Sequence, residues 1–418
     1  MSKIKIKNFG PIKEGYLEDD GWLDIKKVTV FIGNQGSGKS TVAKLISVFT
    51  WIEKALVRGD FRDKDLTVNA FKKHCTYQNL GNYFYEKQNQ TSLFAANDVE
   101  TYISFKGEAY TIEFNSNEIL IEKSKNRIFL FPKIMYVPSE RNFISSVRNT
   151  RSIKGLPSPL YTFFDEFVNA VEDLKGFIKL PINETSFEYQ QLNKLSWIIG
   201  KDYKIKLSEA SSGFHSLVPL FIVSKHLSNS LKSNRDISIN EFSLDEEKRI
   251  RKEIQRIFSN PKISEEVKKV SLEVLSSKFI YASFINIVEE PEQNLFPSSQ
   301  QNILNSLLEF NNISFDNKLI MTTHSPYIIN YLTLAVKAEE LNRQIKTEEL
   351  RNRLQEIVPL RSTINANDLV IYELDEKTGT IKKLGVYEGI PSDENYLNES
   401  LGESNELYAQ LLKIQQKL

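Results

Sequence analysis

A single cysteine, Cys75, rules out any disulfide within the chain. Charge of one sign is lacking too: Lys and Arg total 54, Asp and Glu total 54, and the formal net charge is zero. A neutral chain is not built to coat nucleic acid non-specifically, although a local basic stripe still could. No apolar run approaches the ~20 residues of a membrane span and no secretory leader pattern is present, so the expectation is a cytoplasmic protein without a membrane partner. Histidine is scarce, and His74 beside Cys75 lacks a second pair at zinc-ligand spacing; both read as ordinary helix residues. No internal repeat or low-complexity tract stands out. What remains, 418 residues with 40% apolar and 26% charged, suffices for a large core in one domain or several.

Against this background one stretch stands out. Gly33-Asn34-Gln35-Gly36-Ser37-Gly38-Lys39-Ser40 fits G-x-x-x-x-G-K-[ST] without a mismatch. An apolar run, Val28 to Ile32, leads into it, and a helix-compatible run from Thr41 to Trp51 follows. In that strand–loop–helix context the glycines let successive N–H groups, including those of Asn34, Gly36, Ser37, Gly38 and Thr41, turn toward phosphate oxygens, and the helix adds its positive end. Lys39 is expected to reach the β- and γ-phosphates and Ser40 to ligate Mg²⁺, so the predicted ligand is ATP or GTP with Mg²⁺.

Three later segments narrow the reading. Ile285-Asn286-Ile287-Val288-Glu289-Glu290 is an apolar strand ending in two carboxylates, as a Walker B strand does. There Glu289 faces the Mg²⁺ shell and Glu290 polarises the attacking water. Acidic residues also end strands at solvent edges, so the pair alone does not decide. After the next apolar strand, His324 resembles a switch histidine that senses the γ-phosphate. Ser208-Glu209-Ala210-Ser211-Ser212-Gly213, before an apolar helix, is a good N-cap and also resembles an ABC signature, in which Ser211 and Gly213 would hydrogen-bond a γ-phosphate held by a second subunit. It departs from the usual letters: Ser212 replaces a Gly, and no Gln or Glu follows Gly213. Tyr136-Val137-Pro138-Ser139-Glu140-Arg141 occupies the place of a Q-loop but has no Gln, leaving Arg141 or Glu140 to any such role.

Alternation of buried-type strands with helices predicts an α/β fold. The order of loop, signature-like segment, acidic pair and histidine resembles an ABC-type P-loop ATPase head, which implies such a head with an antiparallel β lobe and helical insertions. Lys3 to Phe9 alternates as an edge strand does, and short β-like runs between Glu100 and Phe131 read as an antiparallel meander. The expected division is 1–56 for the first part of the head, 57–200 for the meander and a helical insertion, 201–227 for the signature segment, 228–277 for a charged helical insertion, and 278–418 for the second part of the head and a tail. That tail, acidic from Glu388 to Glu406, reads as a solubilising surface or a docking face.

In order and wording (FIGNQGSGKST at 31–41, YVPSER at 136–141, SEASSGFHSLVPL at 208–220, IVEEPEQNLFP at 287–297, TTHSPYII at 322–329) the chain resembles the non-transporter ABC ATPases related to OLD, RecF and SMC proteins. The last two stretches place it nearer the OLD-like branch, with Asn294 departing from a His often found there. The stretch between signature and acidic pair is far too short for an SMC-length coiled-coil arm. OLD proteins carry a Toprim nuclease; here only Glu388-Gly389 hints at one, and no nuclease in cis is expected. The resemblance is then to ATPase subunits of bacterial anti-phage systems, the AriA type of PARIS systems being nearest in layout. It implies a head-to-tail dimer or higher oligomer that hydrolyses ATP through Glu290, His324 and Lys39. It also implies a separate nuclease subunit, Toprim-type before HNH-type (the latter as in Septu systems), and a phage protein as trigger. The rival reading is a RecF- or Rad50-like repair ATPase binding DNA through Arg141, Arg148, Arg151 and Lys154; a transporter subunit is disfavoured by the missing Gln and the altered signature.

Overall fold

Val28–Gly33, the run that leads into the glycine-rich loop, is buried at every position. The computed structural model describes residues 1–85, 100–124, 129–147, 155–231, 251–252, 254–255 and 281–416. In chain order the first elements are β1 (Ser2–Lys7), β2 (Gly15–Tyr16), β3 (Leu23–Ile25), β4 (Val28–Gly33), α1 (Lys39–Arg58) and α2 (Val68–Tyr77). Then come β5 (Tyr102–Lys106), β6 (Tyr110–Asn115), β7 (Glu118–Lys123), β8 (Pro132–Val137), α3 (Phe143–Ser146) and α4 (Ser158–Glu172). Four short strands, β9 (Phe177–Lys179), β10 (Ser186–Gln190), β11 (Leu195–Ile199) and β12 (Lys204–Lys206), precede α5 (Ser212–Ser230). The rest comprises β13 (Ser283–Glu289), α6 (Pro297–Asn311), β14 (Lys318–Thr323), α7 (Pro326–Gln344) and α8 (Glu348–Ile357). It continues through β15 (Leu369–Leu374), β16 (Thr380–Lys383), β17 (Val386–Tyr387) and β18 (Ile390–Pro391) to α9 (Tyr396–Gln415).

The central sheet has the order β2-β16-β15-β4-β14-β13-β8. Its core, β15-β4-β14-β13-β8, is parallel throughout, and only β16 turns antiparallel against β15. Near-continuous apolar sequence in β4, β13 and β15 follows from this placement, because helices or the lobe cover both faces. Val28, Val30 and Ile32 point into one core with α4, α5, α6 and α7. Phe31, on the other face, joins a second core with α1, α2 and the lobe strands.

The lobe is the antiparallel sheet β3-β1-β5-β6-β7. It rests on α1, where Phe49 stacks on Phe105 at 5.4 Å and the Glu53 carboxylate accepts the Ala109 and Tyr110 N–H groups at 2.6 and 3.1 Å. Burial pushes the Glu53 carboxyl up, opposed by those two bonds. The fold is thus the expected α/β class with its β lobe, with two corrections. The first is that β9–β12 form a second antiparallel sheet, in the order β12-β11-β10-β9, at the end of the span expected to hold the meander and a helical insertion. The second is that the N-terminal strand is not an edge: β1 lies between β3 and β5. Its alternation reports a sheet buried on one face, which an inner strand shows as well as an edge strand. The charged insertion expected at 228–277 falls almost wholly outside the described residues. His74 packs as a helix residue, 4.8 Å from Trp51, and Cys75 beside it is buried. Glu388-Gly389 is the two-residue turn of the β17–β18 hairpin, both with positive φ (+48° and +82°), which is the geometry such a turn requires.

Candidate functional site

Parallel strands bring their carboxyl ends to one edge of the sheet, where open α/β folds bind ligands. Four of those ends carry the sequence-predicted groups. The glycine-rich loop follows β4, His324 follows β14, Glu290 follows β13, and Ser139–Arg141 follow β8. One strand, β14, separates the loop strand from the acidic strand, and Glu289 pairs with Thr322 while Thr322 pairs with Phe31. The register therefore sets the carboxylates and the loop at one level.

The loop conformation depends on its glycines. Gly33 sits at φ +140°, and a Cβ there would lie 2.3 Å from the Leu374 carbonyl. Gly38 caps α1 in the left-handed region, and Gly36 at φ +78° faces open space. No acidic residue and no side-chain cap occupies the first turn of α1, so its amides stay available to an anion. Lys39 curls back over the loop, donating to the carbonyls of Gly33 at 2.9 Å and Asn34 at 2.7 Å. Burial lowers the Lys39 ammonium to about 8, against the pull of Glu290 and the neighbouring carboxylates. Asn34 Nδ2 donates to Glu376 after β15, a contact that sequence reasoning did not anticipate. Thr41 is buried, Ser40 half-buried, and the Ser37 hydroxyl is buried without a hydrogen-bond partner.

Across from the loop stand the acids and the histidine. Glu289 is buried; one carboxylate oxygen accepts the Ser139 N–H at 3.1 Å, and the other, Oε1, has no hydrogen-bond partner of ordinary geometry. Apart from the buried Tyr136 hydroxyl, which faces the same carboxylate, this oxygen is unpartnered, and a Mg²⁺ shell would use such an acceptor. Glu290 is raised above the usual carboxylate range, first by desolvation and then by Glu289. His324 Nε2 lies 3.6 Å from Glu290 Oε1. Desolvation, then the Lys39 charge, depresses the imidazole to about 4, so it is neutral at physiological pH. Its backbone N–H is held at 2.7 Å by Glu292, a half-buried residue whose carboxyl is raised by desolvation. The sequence showed Glu292 only as the last letter of EEPE.

Ser211 and Gly213 are placed differently. Ser211 is the exposed N-cap of α5, and its hydroxyl caps nothing; Gly213 lies against Asn294 and Leu295 at the end of the acidic turn, where a Cβ would be 3.0 Å from the Asn294 carbonyl. Ser211 faces outward, while Gly213 is half-buried against the turn that follows Glu290. Arg141 corrects the expectation of a DNA contact: it is fully buried, with its hydrogen bonds on main-chain carbonyls, and cannot meet a backbone phosphate. Arg148, Arg151 and Lys154 lie outside the described residues. Among the described residues no helix is long and apolar enough to cross a membrane, and no His, Cys, Asp and Glu cluster could hold a metal by itself.

No protein-family model and no curated protein matches the chain. Among solved structures it is similar to the ATP-binding cassette protein MJ0796, determined as a dimer in a post-hydrolysis state bound to ADP and Pi. The identity is 11% and the TM-score 0.27, over 93% of this chain and 100% of that one.

Proposed function

We propose that this chain is an ABC-type ATPase whose nucleotide site is completed by a second copy of itself. The observation that carries this reading is the meeting of Lys39, Glu290 and His324 at one sheet edge, with the signature-like Ser211 exposed and Gly213 half-buried at a separate helix start. In this account the loop amides from Asn34 to Thr41 and the Lys39 ammonium grip the phosphates of ATP. Ser40 and Glu289 would hold a Mg²⁺ ion, which would supply neutralisation of the phosphate charge. Glu290, its carboxyl basicity raised by desolvation, accepts a proton from the attacking water. His324, neutral and 3.6 Å from Glu290, has a single ring N–H, which lies at the Gly33 carbonyl of the loop and would be offered to the γ-phosphate once nucleotide is bound. Ser211 and Gly213 of the opposing copy close the site head to tail, so nucleotide joins the copies and hydrolysis releases them.

The wider role is a sensor and scaffold of anti-phage defence that holds a separate toxin nuclease and releases it when a phage protein is sensed. The sequence resemblance supports this. Purified chain tests the core of the reading: Mg²⁺-dependent ATP hydrolysis is expected, lowered about 10²–10⁴-fold in Glu290→Gln and lost in Lys39→Ala. Co-expression with the neighbouring reading frame tests the wider part. Nuclease capture and phage protection indifferent to both substitutions would contradict an ATP-gated scaffold.

A further inference from the structure

Among the described residues Arg141 heads the largest fully buried side chains, yet its hydrogen bonds there end on backbone carbonyls and none on a carboxylate. Nε donates to Ser216 O at 3.0 Å, Nη1 to Glu289 O at 2.7 Å and Pro138 O at 3.3 Å, and Nη2 to Glu290 O at 2.6 Å. A buried charge is retained only where its donors are satisfied, and this one spends them on three separate segments. Two of the carbonyls belong to the acidic pair. Glu290 itself has φ +44°, a left-handed conformation that disfavours a non-glycine residue and persists only when its surroundings enforce it. Its N–H is fixed to Thr322 O at 2.9 Å and its C=O to Arg141, so the peptide units on both sides of the residue are pinned.

The third segment is the start of α5. Ser216, five residues after the exposed Ser211, gives its carbonyl to Arg141, while its hydroxyl accepts from Asn294 Nδ2 at 3.0 Å and lies 3.4 Å from Gln293 Oε1. The helix start that faces outward and the turn that carries Glu290 are thus joined through one guanidinium and one serine.

We infer that Arg141 is a positioning residue: it holds Glu290 in its left-handed conformation and ties that conformation to the start of α5. This rests on the ATPase reading for its kinetic consequence but not for the clamp. Whatever displaces α5 at Ser211–Gly213 then moves the Glu290 carbonyl, and the carboxylate of one site answers to occupancy of the signature face.

The test uses the full chain with Arg141→Lys, Glu290→Gln and the double variant. Arg141→Lys is expected to bind ATP within about threefold of wild type while turnover falls about 100-fold, the cost of a misplaced catalytic group. Added to Glu290→Gln it should lower the residual rate by less than about twofold, because the group it positions is already gone. A full additional loss in that background, or unimpaired turnover in folded Arg141→Lys, overturns the inference. Hydrogen exchange supplies an arm independent of hydrolysis: the Glu290 amide should exchange at least about tenfold faster in Arg141→Lys, with the β4 and β14 amides unchanged. Unchanged exchange at Glu290 refutes the clamp. If Arg141→Lys does not fold, Ser216→Ala, which keeps the carbonyl and removes the hydroxyl link, takes its place. It should lower turnover about fivefold in the Glu290 background and not in Glu290→Gln; equal effects in both overturn the inference. Absence of hydrolysis by the wild-type chain would refute the ATPase reading alone, leaving the exchange result to decide the clamp.

Discussion

His324 Nε2 and Glu290 Oε1 stand 3.6 Å apart at the ends of adjacent parallel strands, beyond direct hydrogen-bond length and close enough to share one water or one phosphate oxygen. Neither group needs the other for its place. Glu292 anchors the His324 backbone, and Arg141 and Thr322 anchor that of Glu290.

That arrangement predicts separable kinetic defects. Glu290→Gln should lower kcat about 10²–10⁴-fold with ATP binding intact, since it removes the proposed base and keeps the shape. His324→Ala should lower kcat with little change in KM for ATP. Single-turnover and equilibrium binding measurements on the same preparations check both.

The imidazole of His324 should stay neutral far below the ordinary histidine range. Its folded value near 4 is below the usual 6.5, so between those values the unfolded chain binds a proton that the folded chain does not. This site's contribution to stability is therefore complete above about pH 6.5 and is lost as the pH falls toward 4. Side-chain ¹⁵N spectra, assigned with His324→Gln, should show no His324 titration between pH 8 and about 5; a midpoint near 6.5 would contradict the desolvated placement.

Gly33 and Gly36 should respond differently to alanine. At Gly33 a Cβ meets the Leu374 carbonyl at 2.3 Å, so Gly33→Ala is expected to destabilise the fold by about 1–3 kcal/mol or more through strain and clash. Gly36 faces open space at φ +78°, so Gly36→Ala should cost about 1 kcal/mol, from backbone strain alone, while impeding close approach of phosphate. Denaturant melts set beside nucleotide titrations distinguish the two.

Much of this site is legible in the sequence because its parts are contiguous. The glycine spacing writes the loop out directly, and apolar runs ending in Glu289-Glu290 and before His324 mark the carboxyl ends of β13 and β14. Arg141 is not legible, because an arginine in sequence reads as a solvated charge and only tertiary packing shows it buried on carbonyls. The positive φ of Glu290 is equally hidden, since no glycine announces it. Asn294, also left-handed at φ +59°, is a residue that tolerates this conformation, and its bond to Ser216 shows what it does there. The inner position of β1 escapes sequence because alternation reports burial of one face and says nothing about neighbours.

Cys75 should be inert in the folded chain. It is buried in α2, and burial pushes its thiol up far beyond the ordinary range. A thiol reagent at pH 8 should label it only at the rate of unfolding; rapid labelling of native protein would contradict the packing of α2 on α1.

The central claim is a nucleotide site shared between two copies, and sedimentation velocity on Glu290→Gln with and without Mg²⁺-ATP tests it most directly. The account predicts a monomer without nucleotide and a dimer or higher even-numbered species with it, abolished by adding Ser211→Arg to the same chain. An unchanged sedimentation coefficient, with ATP shown by calorimetry to be bound, would contradict it.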